Sequence, residues 1–133
     1  MNRVIATFRY EDPKAAIEFL TEVFGFERHS VSEKDGQIVH AQLTFGGGMI
    51  MLGPTADDAY GRLFAIPEHG ALPTSGTYVI VDDPRAHAQR ARDGGAEIVM
   101  EPTEQDYGGV NYVARDPFGF VWSFGSYDPW GSR

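Results

Sequence analysis

The sequence predicts an α+β fold: two tandem βαβββ modules forming a curled eight-stranded mixed sheet with helices on one face. Three observations predict it. An acidic pair followed by proline occurs twice, as Tyr10-Glu11-Asp12-Pro13 and Val81-Asp82-Asp83-Pro84, with Asp12 and Asp83 standing 71 residues apart. In both copies an apolar, β-rich run leads in and a helical run follows. After each helix come glycines, Gly25 and Gly94-Gly95, and then short β-forming runs separated by glycine turns. A repeat of this kind fixes the architecture before any detail.

Each element has its own reason. Val4 to Tyr10 is rich in β-formers and alternates. Asp12 can cap free N–H groups, and Pro13 at the first helical position loses no hydrogen bond. From Pro13 to Phe24, Ala16, Phe19, Leu20, Val23 and Phe24 form one helical stripe. Gly25 ends the helix. Phe26 to Ser32 reads as a second strand, and the Asp35-Gly36 pair is a hairpin turn. Gln37 to Phe45 is a third strand, Gly46-Gly47-Gly48 a turn, and Met49 to Gly53 a fourth. Then Thr77 to Val81, the helix Pro84 to Arg92, and strands Glu97 to Met100, Val110 to Ala114 and Phe120 to Phe124 repeat the order. The turns are Tyr107-Gly108-Gly109 and Asp116-Pro117-Phe118-Gly119. The expected organisation is one domain over 1–133, with module one at 1–54, a linker at 55–74 and module two at 75–133. The linker reading competes with a lid or a dimer contact. The tail carries Trp130, which either docks or frays.

Composition narrows the function classes. A net charge of −8 and a pI near 4.8 argue against nucleic acid, whose backbone asks for clustered Lys and Arg. No cysteine is present, so disulfides, thiolate metal sites and Cys nucleophiles are excluded. No run approaches the roughly 20 apolar residues of a membrane span, and Met1-Asn2-Arg3-Val4 lacks a signal-peptide stretch. A cytoplasmic protein with no membrane partner is expected.

The paired modules, Asp-Pro helix starts, Phe24-Gly25-Phe26, Gly94-Gly95-Ala96-Glu97-Ile98-Val99 and Asp116-Pro117-Phe118-Gly119-Phe120-Val121-Trp122-Ser123-Phe124-Gly125 occur in one order. Together they resemble the vicinal-oxygen-chelate superfamily of glyoxalase I, bleomycin-resistance proteins and extradiol dioxygenases. His40-Ala41-Gln42-Leu43 followed by Met49-Ile50-Met51-Leu52-Gly53 is similar to its glyoxalase-like, PhnB-type subgroup. The resemblance implies a cup formed by the curled sheet, and in the enzymes a divalent metal held there by His, Glu or Gln from four strands. Placed residue by residue, the four ligand slots fall on Ile5, Met51, Gly76 and Ser123. An aliphatic chain, a thioether, a bare glycine and one hydroxyl are poor donors for Zn²⁺, Mn²⁺, Fe²⁺ or Ni²⁺. A slip of one residue brings in Val4, Ala6, Ile50, Leu52, Ser75, Thr77, Trp122 and Phe124, none of them His, Glu or Gln. The expectation is therefore no metal, no cofactor and no assigned catalytic residue.

Strand alternation names the other residues of that face: Thr7 and Arg9 with Ile5, Tyr78 and Ile80 with Gly76, Met49 with Met51, and Val121 with Ser123. His40 and Gln42 share one face of the third strand, though alternation alone leaves open which. The ligand-binding candidates are thus Thr7, Arg9, His40, Gln42, Met49, Met51, Tyr78 and Ser123. Methionines and a few polar handles suit a small organic molecule, while the same residues could simply fill a core. His29, His69 and His87 have no second ligand at metal-like spacing and read as solvated, as does the Glu101, Glu104 and Asp106 cluster. The leading function is a metal-independent binding protein of the bleomycin-resistance type. It would sequester an antibiotic or another hydrophobic or aromatic metabolite, and the acid surplus suits a cationic one. The resemblance also implies a homodimer. The alternative is a metal-dependent lyase, isomerase or dioxygenase with non-standard ligands.

Overall fold

Asp12 and Asp83 start both helices in the same way. Asp12 Oδ1 accepts from the Ala15 amide at 3.1 Å, Asp83 Oδ1 from the Ala86 amide at 3.1 Å, and a proline follows each cap. The computed structural model describes residues 2–68 and 71–131. The chain divides into two compact units, Met1–Ile66 and Pro67–Arg133.

Unit one contains β1 (Ala6–Tyr10), α1 (Pro13–Glu22), β2 (Glu27–Lys34), β3 (Gln37–Phe45) and β4 (Gly48–Pro54). Its sheet runs β1-β4-β3-β2, with β1 parallel to β4 and the other pairs antiparallel. Asp35 and Gly36 both take positive φ, 53° and 76°, as a two-residue hairpin turn of the primed type requires. Side-by-side partners point the same way. The register Ala41↔Leu52 and Leu43↔Ile50 therefore gathers Ala41, Leu43, Ile50 and Leu52 on one face, all buried. This face meets the buried stripe Ala16, Ile17 and Leu20 of α1.

Unit two contains β5 (Thr77–Ile80), α2 (Pro84–Asp93), β6 (Glu97–Glu104), β7 (Val110–Arg115) and β8 (Val121–Gly125). Its order is β5-β8-β7-β6, with β5 parallel to β8. The eight strands thus lie in two four-stranded mixed sheets, one per unit. The core face carries Val79, Tyr112, Ala114, Trp122 and Phe124. The turn before β8 is built on Asp116, which is only 3% exposed. Its carboxylate accepts from the Phe118 and Phe120 amides at 3.0 Å and from Trp122 Nε1 at 3.1 Å. Gly119 is required there: φ is +98°, and a Cβ would stand 2.7 Å from Pro67 Cβ.

Two expectations need correction. The strand predicted over Glu97 to Met100 continues to Glu104, through Pro102 and two register shifts. A proline that would end a central strand is tolerated on the edge strand that β6 is. The Glu101, Glu104 and Asp106 cluster consequently lies partly on this strand, with Glu101 paired to Arg92. His87 is not solvated. It is half-buried, with Nδ1 2.5 Å from the Tyr112 hydroxyl and its ring 4.3 Å from that of Phe124. His29 is exposed as expected, and His69 lies outside the described residues.

Candidate functional site

The register of unit one settles which face His40 and Gln42 occupy. Thr7 stands beside Met51 across the parallel pair, and Gln42 beside Met51 across the antiparallel one. Thr7, Met51 and Gln42 therefore form a row on the face turned away from α1. Arg9, Met49 and His40 follow by alternation. All six are half-buried, in contrast to the buried Ala41 and Ile50 that lie between them on β3 and β4. The six unit-one candidates thus share one surface. It carries two thioethers, a hydroxyl, an amide, an imidazole and a guanidinium.

Arg9 is the most constrained of them. Its guanidinium lies over Gly53, where a Cβ would stand 2.6 Å from Nη1 and 3.2 Å from the Val39 carbonyl oxygen. The rings of Tyr60 and Phe64 lie 5.1 and 5.8 Å from Cζ. These rings come from the segment expected to be linker or lid. A short 3₁₀ turn at Gly61–Leu63 interrupts it, with Asp58 Oδ1 accepting from the Gly61 amide at 2.7 Å and Asp57 pairing with Arg62 at 2.9 Å. Sequence reasoning missed Tyr60 and Phe64 as partners of Arg9. Local patterning carries no signal for a contact spanning about fifty positions.

In unit two, Tyr78 and Ser123 are register partners on the face away from the core, and Ser123 also faces Val113. The Tyr78 hydroxyl donates to the Tyr127 carbonyl at 2.7 Å, which gives this phenol the partner it needs. Burial first, then neighbouring Tyr107, pushes the Tyr78 phenol above its ordinary pKa. Tyr127 in turn meets the Tyr107 ring edge-on at 5.0 Å, so this part of the tail docks while Trp130 stays 83% exposed. Asn111, also missed, points an unpartnered, buried Oδ1 at Gly125, 3.0 Å from where a Cβ would be.

A divalent metal does not fit the donor set. Ile5 and Gly76 lie just outside β1 and β5, Met51 offers sulfur, and Ser123 one hydroxyl. Among the described residues no three His, Cys, Asp or Glu side chains group where they could hold an ion. His40 and Gln42 offer one imidazole and one amide to their face. A cavity of about 520 Å³ elsewhere in unit two is lined by Glu68, Leu72, Glu97, Arg115, Phe118 and others. It contains none of the candidate residues. Among the described residues no helix is long and apolar enough to cross a membrane.

Comparison with known proteins adds kinship to this geometry. The family model of the glyoxalase/bleomycin resistance protein/dioxygenase superfamily matches residues 4–124. An uncharacterized protein of Mycobacterium bovis is 32% identical over 117 residues, which is 86% of this chain and 76% of that one. An uncharacterized Mycobacterium tuberculosis protein is also 32% identical over 86% of this chain, with 68% of its own length covered. Among solved structures, TioX from Micromonospora sp. ML1 is similar with a TM-score of 0.74 and 29% identity, over 93% of this chain and 94% of TioX. The fosfomycin resistance protein FosX from Mesorhizobium loti is similar with a TM-score of 0.66 over 96% of this chain and 93% of FosX. Its 12% identity speaks for the fold alone.

Proposed function

We propose that this chain, which belongs to the glyoxalase/bleomycin resistance protein/dioxygenase superfamily, is a metal-independent small-molecule-binding protein. The observation that carries the reading is the donor-poor open face of unit one. Thr7, Met51 and Gln42 stand in a row there, and the family resemblance assigns to Met51 a position that its metal-holding members give to a ligand. Thioethers pack adaptably on flat apolar surfaces, and Thr7, His40 and Gln42 supply the few hydrogen bonds that orient a ligand. In unit two, Tyr78 and Ser123 offer hydroxyls on the corresponding face. The ligand is an antibiotic or another hydrophobic or aromatic metabolite held without turnover, and the protein works as a homodimer in the cytoplasm.

Metal analysis and calorimetry test this. The protein purified without chelator is expected to carry no stoichiometric divalent ion. Met51→Glu, which adds a carboxylate beside Gln42 and near His40, is expected to raise Zn²⁺ or Ni²⁺ affinity about tenfold or more. Stoichiometric Zn²⁺, Mn²⁺, Fe²⁺ or Ni²⁺ in the unaltered protein would overturn the reading and favour a lyase, isomerase or dioxygenase.

A further inference from the structure

We infer that the ligand of the unit-one face carries an anionic group, a carboxylate or comparable oxyanion, that pairs with Arg9. This rests on the binding reading above and adds the chemical class.

The guanidinium is short of acceptors. It has five N–H donors, yet Nε is buried without a hydrogen-bond partner, and Nη1 reaches only the Pro54 carbonyl at a long 3.5 Å. Among the described residues no carboxylate pairs with it. A half-buried cation with unmet donors is costly, and charge-assisted hydrogen bonds to an oxyanion offset that cost. The surroundings hold the group ready. Gly53 leaves the space it occupies, since any Cβ would collide with Nη1. Tyr60 and Phe64 contact it from the two flanks of the 3₁₀ turn, which restricts its rotamers and leaves the fork for a planar acid. The flanking rings, 51% and 40% exposed, offer apolar surface to the rest of an aromatic acid. The net charge of −8 opposes an anion only through a long-range field that salt screens, while the Arg9 contact acts at hydrogen-bond distance.

Isothermal titration with 2-naphthoate, 2-naphthamide and 2-naphthylmethylammonium separates the possibilities. The carboxylate is expected to bind about tenfold or more tightly than the amide, and the ammonium compound more weakly still. Arg9→Met, which keeps the stem, is expected to abolish the preference for the acid. Gly53→Ala, which displaces the fork without deleting its charge, is expected to reduce it. Raising salt should weaken naphthoate and spare naphthamide. Circular dichroism and melting temperature confirm that each variant folds. Equal binding of acid and amide, or an acid preference that survives Arg9→Met, overturns the inference and leaves the binding function standing. Failure of all three compounds to bind at millimolar concentration, with no melting shift from a wider neutral and cationic panel, overturns both.

Discussion

The two units solve one packing problem with opposite choices of side-chain size. In unit one the helix brings the bulk: Ile17 and Leu20 are buried on α1, against Ala41, Leu43, Ile50 and Leu52 of the sheet. In unit two the helix is thin. Ala88 and Ala91 face the sheet, and the sheet supplies Tyr112, Trp122 and Phe124, all 0% exposed. Interiors must close-pack, so volume removed from one layer has to return in the other. The exchange brings chemistry with it. Large aromatics carry polar handles, and a buried hydroxyl or indole N–H needs a partner. Tyr112 therefore meets His87, and Trp122 meets the Asp116 carboxylate. Unit one buries one phenol, Tyr10 at 1% exposure, beside a core that is otherwise hydrocarbon, and it keeps its candidate polar groups on the open face.

The sharpest way to break this comparison is to truncate the bulk on each side. Trp122→Ala is expected to lower unfolding stability by about 3–5 kcal/mol, and it also strips the Asp116 carboxylate of one donor. Leu20→Ala in the other unit is expected to fall within about 2–5 kcal/mol, toward the lower part of that range, because no polar partner is stranded. Urea unfolding with an unchanged m-value measures both. A Trp122→Ala cost below that of Leu20→Ala would mean that the aromatic sheet face of unit two is not where its core energy lies.

A smaller effect sharpens the same contrast. Ala91 is 0% exposed on α2, where unit one has a leucine in the matching turn. Restoring bulk by Ala91→Leu is expected to destabilise by about 1–3 kcal/mol, because Trp122 and Phe124 already fill the layer. A gain in stability would reveal empty space under α2 and remove the argument from complementary volumes.

The legible and illegible parts of the chain divide along the range of the interactions involved. The helix caps at Asp12 and Asp83 and the Asp35-Gly36 turn are local, satisfied within a few residues, and their residue types announce them. Alternation placed Thr7 with Arg9 and Met49 with Met51 correctly, because side-chain direction in a strand has period two. The face of His40 and Gln42 was not legible, since it depends on the register of β3 against β4, a property of two strands. The extension of β6 through Pro102 was hidden because edge position is a fact of sheet order. His87 was misread for a different reason. Its spacing from Ala88 and Ala91 places it at the border of the buried stripe, a helical period that was available but not applied, because the histidine was weighed only as a metal ligand without a second donor. The Arg9 cluster with Tyr60, Phe64 and Gly53 was beyond any local rule. Only Arg9 was named, because three of its four members become neighbours through tertiary packing.

The last contrast is a dependence on pH. Burial pushes the Tyr112 phenol well above its ordinary value, and Tyr78 shifts the same way for the same leading reason. A phenol whose folded pKa is raised contributes its full stability below the unfolded value, about 10. Above that value the unfolded chain releases the proton while the folded one retains it, so unfolding is favoured increasingly as pH rises. For Tyr112, at 0% exposure, the slope approaches about 1.4 kcal/mol per pH unit between the unfolded and folded values. Tyr112→Phe is expected to cost about 1 kcal/mol at neutral pH through the lost His87 contact, and to flatten the alkaline decline. The wild-type and variant stability curves should therefore converge above pH 10 and then cross. Parallel curves through that range would mean that the Tyr112 proton is not held by burial in unit two, and the claim that its aromatic core brings titratable chemistry inside would fail.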